Sequence, residues 1–147
     1  MHEDAVYESQ SPATWFRFAA IASVVWYLLG CASYLYQVTV DPATLPPGQR
    51  EMMEAAPTWM FAAFAIAVWV GLAGAIMLAM RKSVAVPLLL LSLAATLVQF
   101  SAYFLNPPLR ATMSAGGLLL PTLILGVTAI VVRFASRARQ HGWLGGR

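Results

Sequence analysis

Two stripes of uncharged polar side chains are the residues of this sequence that could do chemistry. The first stripe consists of Ser23, Tyr27, Gly30, Tyr34 and Gln37, and the second consists of Ser92, Thr96, Gln99, Tyr103 and Asn106. In both stripes the residues recur at steps of three and four, which places them on one face of a helix. Phenols, carboxamides and hydroxyls can stack on an apolar ring and hydrogen-bond to hydroxyl groups without charge. The stripes are therefore chemically suited to contact an uncharged polar molecule.

The segments around these stripes lack the groups that catalysis or ion coupling requires. Residues 18–40, 58–80, 84–105 and 117–132 contain no Asp, Glu, Lys, Arg or His. Proton coupling and ion filters depend on such groups within the membrane, and a b-type haem needs histidine ligands. No nucleophile stands beside a base, and Cys31 is the only cysteine. The sequence therefore predicts neither an enzyme nor a cofactor nor a metal site.

Composition identifies the elements that carry the stripes as membrane helices. The chain of 147 residues is 60% hydrophobic and 10% charged, with a mean hydropathy of +0.70, whereas about a quarter of a soluble domain is charged. About 20 apolar residues cross a bilayer core, and four segments meet or approach this length, at 18–40, 58–80, 84–105 and 117–134. We predict an all-α, polytopic membrane protein built as an up-down-up-down four-helix transmembrane bundle.

The distribution of basic residues predicts the orientation of this bundle. Seven of the nine fall on one side, namely Arg17, Arg81, Lys82, Arg133, Arg137, Arg139 and Arg147. Because cytoplasmic loops carry an excess of Lys and Arg, both termini are predicted to be cytoplasmic. Residues 1–17 would form a tail ending in an interfacial anchor. Residues 135–147 would form a basic tail that contacts the lipid surface and not nucleic acid.

The second apolar segment contains a ridge of small residues, which consists of Ala63, Ala67, Gly71, Gly74 and Ala75. Such a ridge lets a second helix approach closely and therefore predicts a helix-packing seam. We favour a contact with another helix of the same chain over a contact with a helix of a second copy. Trp69 falls near the middle of the bilayer, away from the interfaces that tryptophan favours. We predict that its indole points into the bundle, as a bulky packing residue or as part of a binding site.

The first and third spans run in the same direction, so their polar residues reach similar depths and can meet in the outer half of the bundle. The candidate substrate-binding residues are Tyr27, Tyr34, Gln37, Trp69, Thr96, Gln99, Tyr103 and Asn106. The alternative is that these side chains only hold the helices together, with each interhelical hydrogen bond contributing about 0.6 kcal/mol. The sequence leaves both interpretations open.

The chain resembles a family of small four-helix bacterial membrane proteins that are sometimes labelled sugar transporters. The likeness spans residues 20–144 and rests on Trp26 to Gly30, Tyr36 to Thr39, Pro57, Trp59, Ala63 to Gly71, Arg81, Lys82, Leu91 to Leu93, Pro121, Gly142 and Trp143. The resemblance implies a multi-pass protein of the bacterial inner membrane. It implies no assigned site residues, and family members often carry Asn at the position of Tyr27 and Phe at that of Trp69.

Together these observations predict a protein that binds, or facilitates the passage of, an uncharged polar, sugar-like solute as an oligomer. The alternative is a non-catalytic auxiliary or scaffold subunit of a larger membrane complex, because the ridge of the second span could receive a partner helix and the spans contain no ionisable chemistry. The expected partners are thus the lipid bilayer, further copies or a larger complex, and a small uncharged solute.

Overall fold

The computed structural model of the protein describes residues 14–114 and 116–145, so most of the predicted N-terminal tail lies outside the described residues. Its helices are α1 (Thr14–Thr39), α2 (Pro47–Ala55), α3 (Thr58–Ala79), α4 (Ala85–Leu105), α5 (Pro107–Ala111) and α6 (Leu119–Gln140), with a 3-10 turn at Pro42–Thr44. Only α1, α3, α4 and α6 are long and apolar enough to cross a membrane within this part of the chain. The predicted all-α, four-helix membrane bundle is confirmed.

The four long helices alternate in direction, which gives the bundle two distinct ends. We call the end where α1 begins and α6 ends the basic end, because it carries Arg17, Arg81, Lys82, Arg133, Arg137 and Arg139. The opposite end, which carries α2 and α5, is the loop end. α6 continues to Gln140, well past its first arginine. Arginine is a good helix former, and a cation in the last turn interacts favourably with the helix dipole.

α3 is the central helix of the bundle, since it packs against both α1 and α4, and α4 in turn packs against α6. All five small residues of its ridge are buried. A Cβ atom at Gly71 would collide with the Tyr27 ring and lie 2.7 Å from Ser92 Oγ, and one at Gly74 would lie 2.9 Å from Leu89 Cγ. Close approach of α1 and α4 to α3 therefore requires glycine at these positions.

α3 and α6 both end at the basic end with a residue in the left-handed conformation, Arg81 (φ 61°) and Gly142 (φ 72°). In each case the next amide, of Lys82 or Trp143, donates to the carbonyl five residues earlier, at 2.8 and 2.9 Å. This is the Schellman arrangement of a helix C-terminus. It turns the chain back on itself at the end of α6.

The segment after α6 docks onto the turn between α3 and α4. The Gly145 amide donates to the Arg81 carbonyl at 2.9 Å, and Arg81 Nε donates to the Trp143 carbonyl at 3.1 Å. Leu144 is buried beside these contacts. The first part of the predicted basic tail is therefore helix, and its continuation to Gly145 is a turn packed against the bundle.

α1 and α6 meet through aromatic rings at the basic end. The ring centroids of Phe16 and Phe134 lie 5.4 Å apart, as do those of Trp15 and Phe134. Towards the loop end, the described parts of α1 and α6 do not pack along their lengths. A gap between these two helices is the result.

Candidate functional site

A cavity of about 740 Å³ occupies the loop-end half of the bundle. α1, α3, α4 and α6 form its walls, and α2 contributes Gln49, Met52 and Met53 to its lining. Among the described residues that line it, none is Asp, Glu, Lys, Arg or His. Most of the lining is apolar or aromatic, with a few hydroxyls, phenols and carboxamides. This is the usual make-up of a small-molecule site.

Five of the eight candidate residues line this cavity, namely Tyr27, Gln37, Thr96, Gln99 and Tyr103. Polar residues that sequence reasoning missed also line it, and these are Ser33, Tyr36, Gln49 and Thr128. Thr128 could have been noticed as an isolated hydroxyl in the apolar interior of the fourth span. Gln49 gives no such signal, because it follows a proline-rich loop whose position over the bundle cannot be derived from residue spacing.

Tyr34, Trp69 and Asn106 do not line the cavity. Tyr34 packs edge-on against Phe64 with ring centroids 5.5 Å apart, and Asn106 Nδ2 lies 3.5 Å from the Ala55 carbonyl at the end of α4.

Trp69 is 45% exposed on the outer surface of the bundle, so the prediction that it points inward is wrong. It lies two residues from both Ala67 and Gly71, about 200° around the helix. Because the small residues face the bundle, Trp69 must face away from it.

Tyr27 forms the floor of the cavity and connects the four long helices. Its side chain is buried, and its ring packs against Gly71. Ser92 Oγ donates to the Ala67 carbonyl at 2.6 Å and lies 3.5 Å from the Tyr27 hydroxyl, with the Thr128 hydroxyl a further neighbour. Because the Ser92 proton is engaged on Ala67, Tyr27 is the donor in any hydrogen bond with Ser92. Tyr27 therefore acts chiefly as part of the scaffold.

Two stripe hydroxyls, and the Thr128 hydroxyl on α6, are bonded within their own helices. Ser23, Thr96 and Thr128 each donate to the carbonyl four residues earlier, all at 2.8 Å. Between the described long helices, the polar stripes supply hydrogen bonds only around Ser92 and Tyr27. Hydrogen bonds between the long helices thus involve only a small part of the two stripes, and Tyr103 and Asn106 contact α2 instead.

The two carboxamides of the cavity have spare hydrogen-bonding capacity. Gln37 Nε2 donates to Ser33 Oγ in its own helix at 3.3 Å. The half-buried side chain of Gln99 makes no hydrogen bond to any described residue. Both side chains line the open space of the cavity, where their remaining donor and acceptor groups can pair with water or with a ligand. These amides are therefore available to an occupant of the cavity.

The helix α2 covers the cavity on the side of α3 and α4. The Tyr103 hydroxyl lies 3.9 Å from Met52 Sδ, and Met60, Ala102 and Leu109 form a small buried cluster beneath the cap. α2 is therefore a short cap over this side of the cavity.

On the side of α1 and α6 the cavity is open. Leu29, Tyr36 and Leu120 line it and are also 64%, 58% and 63% exposed. Side chains that line a cavity and are also exposed on the outer surface lie at the opening of that cavity. Since the three residues belong to spans that cross the membrane, this opening lies between α1 and α6 within reach of the bilayer.

No family model matches the chain, and neither a curated protein nor a solved structure shows significant similarity to it. The resemblance that the sequence suggests therefore stays a prediction. Inferences about function rest on the geometry of the cavity.

Proposed function

We propose that this membrane protein binds a small uncharged solute in the loop-end cavity, and that the solute combines hydrogen-bonding groups with an apolar face, as sugar-like molecules do. The observation that carries the proposal is an uncharged cavity in which the Gln99 and Gln37 carboxamides have spare hydrogen-bonding capacity. Its volume falls within the range of about 300 to 1,000 Å³ that is usual for ligand pockets.

The lining favours a neutral solute over a charged one. A charge buried away from water is costly unless an opposite charge or a dense set of dipoles compensates for it. The cavity offers amides, hydroxyls and phenols, which satisfy neutral hydroxyl or carbonyl groups. Phe61, Phe64 and Phe100 supply faces and edges for the apolar side of a solute.

The cavity supports binding of a solute more directly than it supports passage of the solute across the membrane. Below Tyr27 the bundle is closed by a packed core that includes Phe16, Leu78 and Leu89, each almost completely buried. A solute in the cavity therefore meets a barrier on its way to the basic end. Passage would require a second arrangement of the helices, which we propose arises in an oligomer.

The alternative function, an auxiliary subunit, depended on a free packing ridge. That ridge is occupied by this chain, with Tyr27 against Gly71 and Leu89 against Gly74. It no longer offers a surface to a partner helix, and the absence of ionisable groups in the spans, which also suggested an auxiliary role, fits both functions equally.

Matched pairs of solutes test the proposed function. The purified protein should bind one or more neutral sugars or polyols in calorimetric titrations and should reject the sugar acid or amino sugar of the same size. Uptake of the bound solute into proteoliposomes should not respond to a pH gradient, because the described residues that line the cavity include no carboxylate, histidine or basic side chain that could carry a coupled proton. Preference for the charged member of each pair would contradict the proposal.

A further inference from the structure

A second pocket, of about 350 Å³, lies at the basic end and is separate from the loop-end cavity. Its principal lining residues are Trp15, Arg133, Phe134, Arg137, His141 and Trp143. All except Trp15 and Trp143 belong to α6 or to its C-terminal cap. We call it the basic-end pocket.

Aromatic rings form the walls of the basic-end pocket. The ring centroids of Trp15 and Trp143 lie 5.5 Å apart in an edge-on arrangement, and the His141 ring stacks on Trp143 with centroids 5.2 Å apart. The indole Nε1 of Trp143 is buried and has no hydrogen-bond partner among the described residues. Because Trp143 belongs to the docked turn after α6, this turn forms one wall of the pocket.

Two arginines give the pocket a positive charge that the described protein does not neutralise. Arg133 and Arg137 lie four residues apart on one face of α6, and both are exposed. Neither makes an ion pair or a hydrogen bond with any residue in 14–114 or 116–145. The carboxylates within these ranges, Asp41, Glu51 and Glu54, are all at the loop end.

The pocket also continues towards the bilayer. Ile130 lines it one helical turn before Arg133 and is 68% exposed. Along α6 the pocket therefore changes from an apolar, lipid-facing surface to a basic, aromatic one over a few turns. The same gradient exists in a phospholipid between its acyl chains and its phosphate, and a guanidinium is well suited to phosphate oxygens.

We propose that the basic-end pocket binds one anionic phospholipid of the surrounding membrane. Arg133 and Arg137 contact the headgroup phosphate, Trp15 and Trp143 pack against the glycerol region, and an acyl chain follows Ile130 along α6. A free phosphate ion would use the arginines but not the apolar surface. A membrane lipid is therefore the occupant that fits the whole pocket.

Lipid retention in nanodiscs tests this proposal. The protein is released from nanodiscs that contain equal amounts of phosphatidylglycerol and phosphatidylcholine with identical chains, and native mass spectrometry counts the lipids that stay bound. The parent should retain phosphatidylglycerol preferentially. The double variant Arg133→Gln/Arg137→Gln should lose this preference by about thirty-fold, since each arginine that directly contacts the bound headgroup should contribute about five-fold.

A matched control separates a site from general surface charge. Arg17 and Arg139 are also exposed at the basic end, make no bond to a described residue and do not line the pocket. The double variant Arg17→Gln/Arg139→Gln should therefore retain the lipid as the parent does. Both double variants should melt like the parent, and Arg137→Gln alone should show a loss of about five-fold.

Four results would overturn the proposal. The parent could retain both lipids equally, or the two double variants could lose phosphatidylglycerol equally, which would indicate diffuse charge. Displacement of the lipid by inorganic phosphate would indicate an anion site without lipid specificity. Retention that appears only after Glu3→Gln, Asp4→Asn and Glu8→Gln would indicate that the acidic N-terminal segment is the occupant.

Discussion

Tyr27 and Gln99 line the same cavity but differ in their burial and in their contacts with the rest of the protein. Tyr27 is buried, packs on Gly71 and has hydroxyl neighbours on two other helices. Gln99 is half-buried and has no hydrogen-bond partner among the described residues. Loss of the first side chain removes contacts that the folded state needs, whereas loss of the second removes only a potential contact to a ligand.

Ser92 is the residue whose hydroxyl contributes most to holding the helices together. Ser92→Ala removes the donor to the Ala67 carbonyl and the acceptor beside Tyr27. We expect a loss of about 0.6 to 1.7 kcal/mol in the free energy of unfolding. Unfolding in mixed micelles measures this change.

Ser101→Ala is the matched control for Ser92→Ala, because the Ser101 hydroxyl donates only to the Val98 carbonyl in its own helix. Its free energy of unfolding should stay close to that of the parent. Equal losses in the two variants would contradict the assignment of Ser92 as an interhelical bond.

Residue spacing predicted part of the site. The steps of three and four correctly placed Gln37, Thr96, Gln99 and Tyr103 on cavity-facing surfaces. The inward direction assigned to Trp69 was wrong, although its angle to Ala67 and Gly71 was available from the sequence. Tyr36 could not be predicted, since it reaches the cavity only because α1 and α6 separate towards the loop end.

At the scale of elements, α3 organises the bundle through its small residues. Gly71 accommodates the ring of Tyr27, and Gly74 accommodates Leu89. The close approach at Gly71 also sets the position of α1, and Tyr27 on α1 is the floor of the cavity. Packing on α3 thus determines where the cavity ends.

Substitution of Gly71 should therefore be costly. In Gly71→Ala the new methyl group would collide with the buried Tyr27 ring, and overpacking of this kind lowers the free energy of unfolding by about 1 to 3 kcal/mol. Denaturant titration in micelles would measure the loss.

Gly126→Ala is the control, since a methyl group at this position of α6 meets nothing within 4 Å. It should leave stability unchanged or slightly raised, because alanine is the better helix former. A loss as large as that of Gly71→Ala would show that helix flexibility, and not packing on Tyr27, is what glycine supplies.

The helices themselves were largely predictable, because an apolar run of about 20 residues has few alternatives to a membrane helix. The end of α6, in contrast, was not predictable. The predicted span stopped at residue 134, whereas the helix continues to Gln140, since backbone hydrogen bonding does not depend on apolar side chains. The chain turns back at Gly142, a left-handed residue, and the turn is then held by Arg81, whose Nε donates to the Trp143 carbonyl and whose own carbonyl accepts from the Gly145 amide. Residue spacing gives no sign of contacts between residues so far apart in the sequence.

At the scale of the whole molecule, charge separates the two ends of the bundle, and this asymmetry predicts its orientation. Ser114 is exposed at the loop end and Gln140 at the basic end. In a Cys31→Ala background, Ser114→Cys should react with an impermeant thiol reagent from outside the cell. Gln140→Cys should react only after the membrane is opened, and reaction of both from the same side would contradict the predicted topology.

The central claim is that the carboxamides of the cavity contact an uncharged solute and do not hold the bundle together. The direct measurement compares binding with stability in Gln37→Leu/Gln99→Leu, and Gln140→Leu serves as the control for loss of an amide outside the cavity. We expect the double variant to unfold like the parent and to bind the neutral solute at least about ten-fold more weakly, since two ligand hydrogen bonds of about 1 kcal/mol each are lost. A double variant that unfolds early and still binds every solute bound by the parent would contradict the claim.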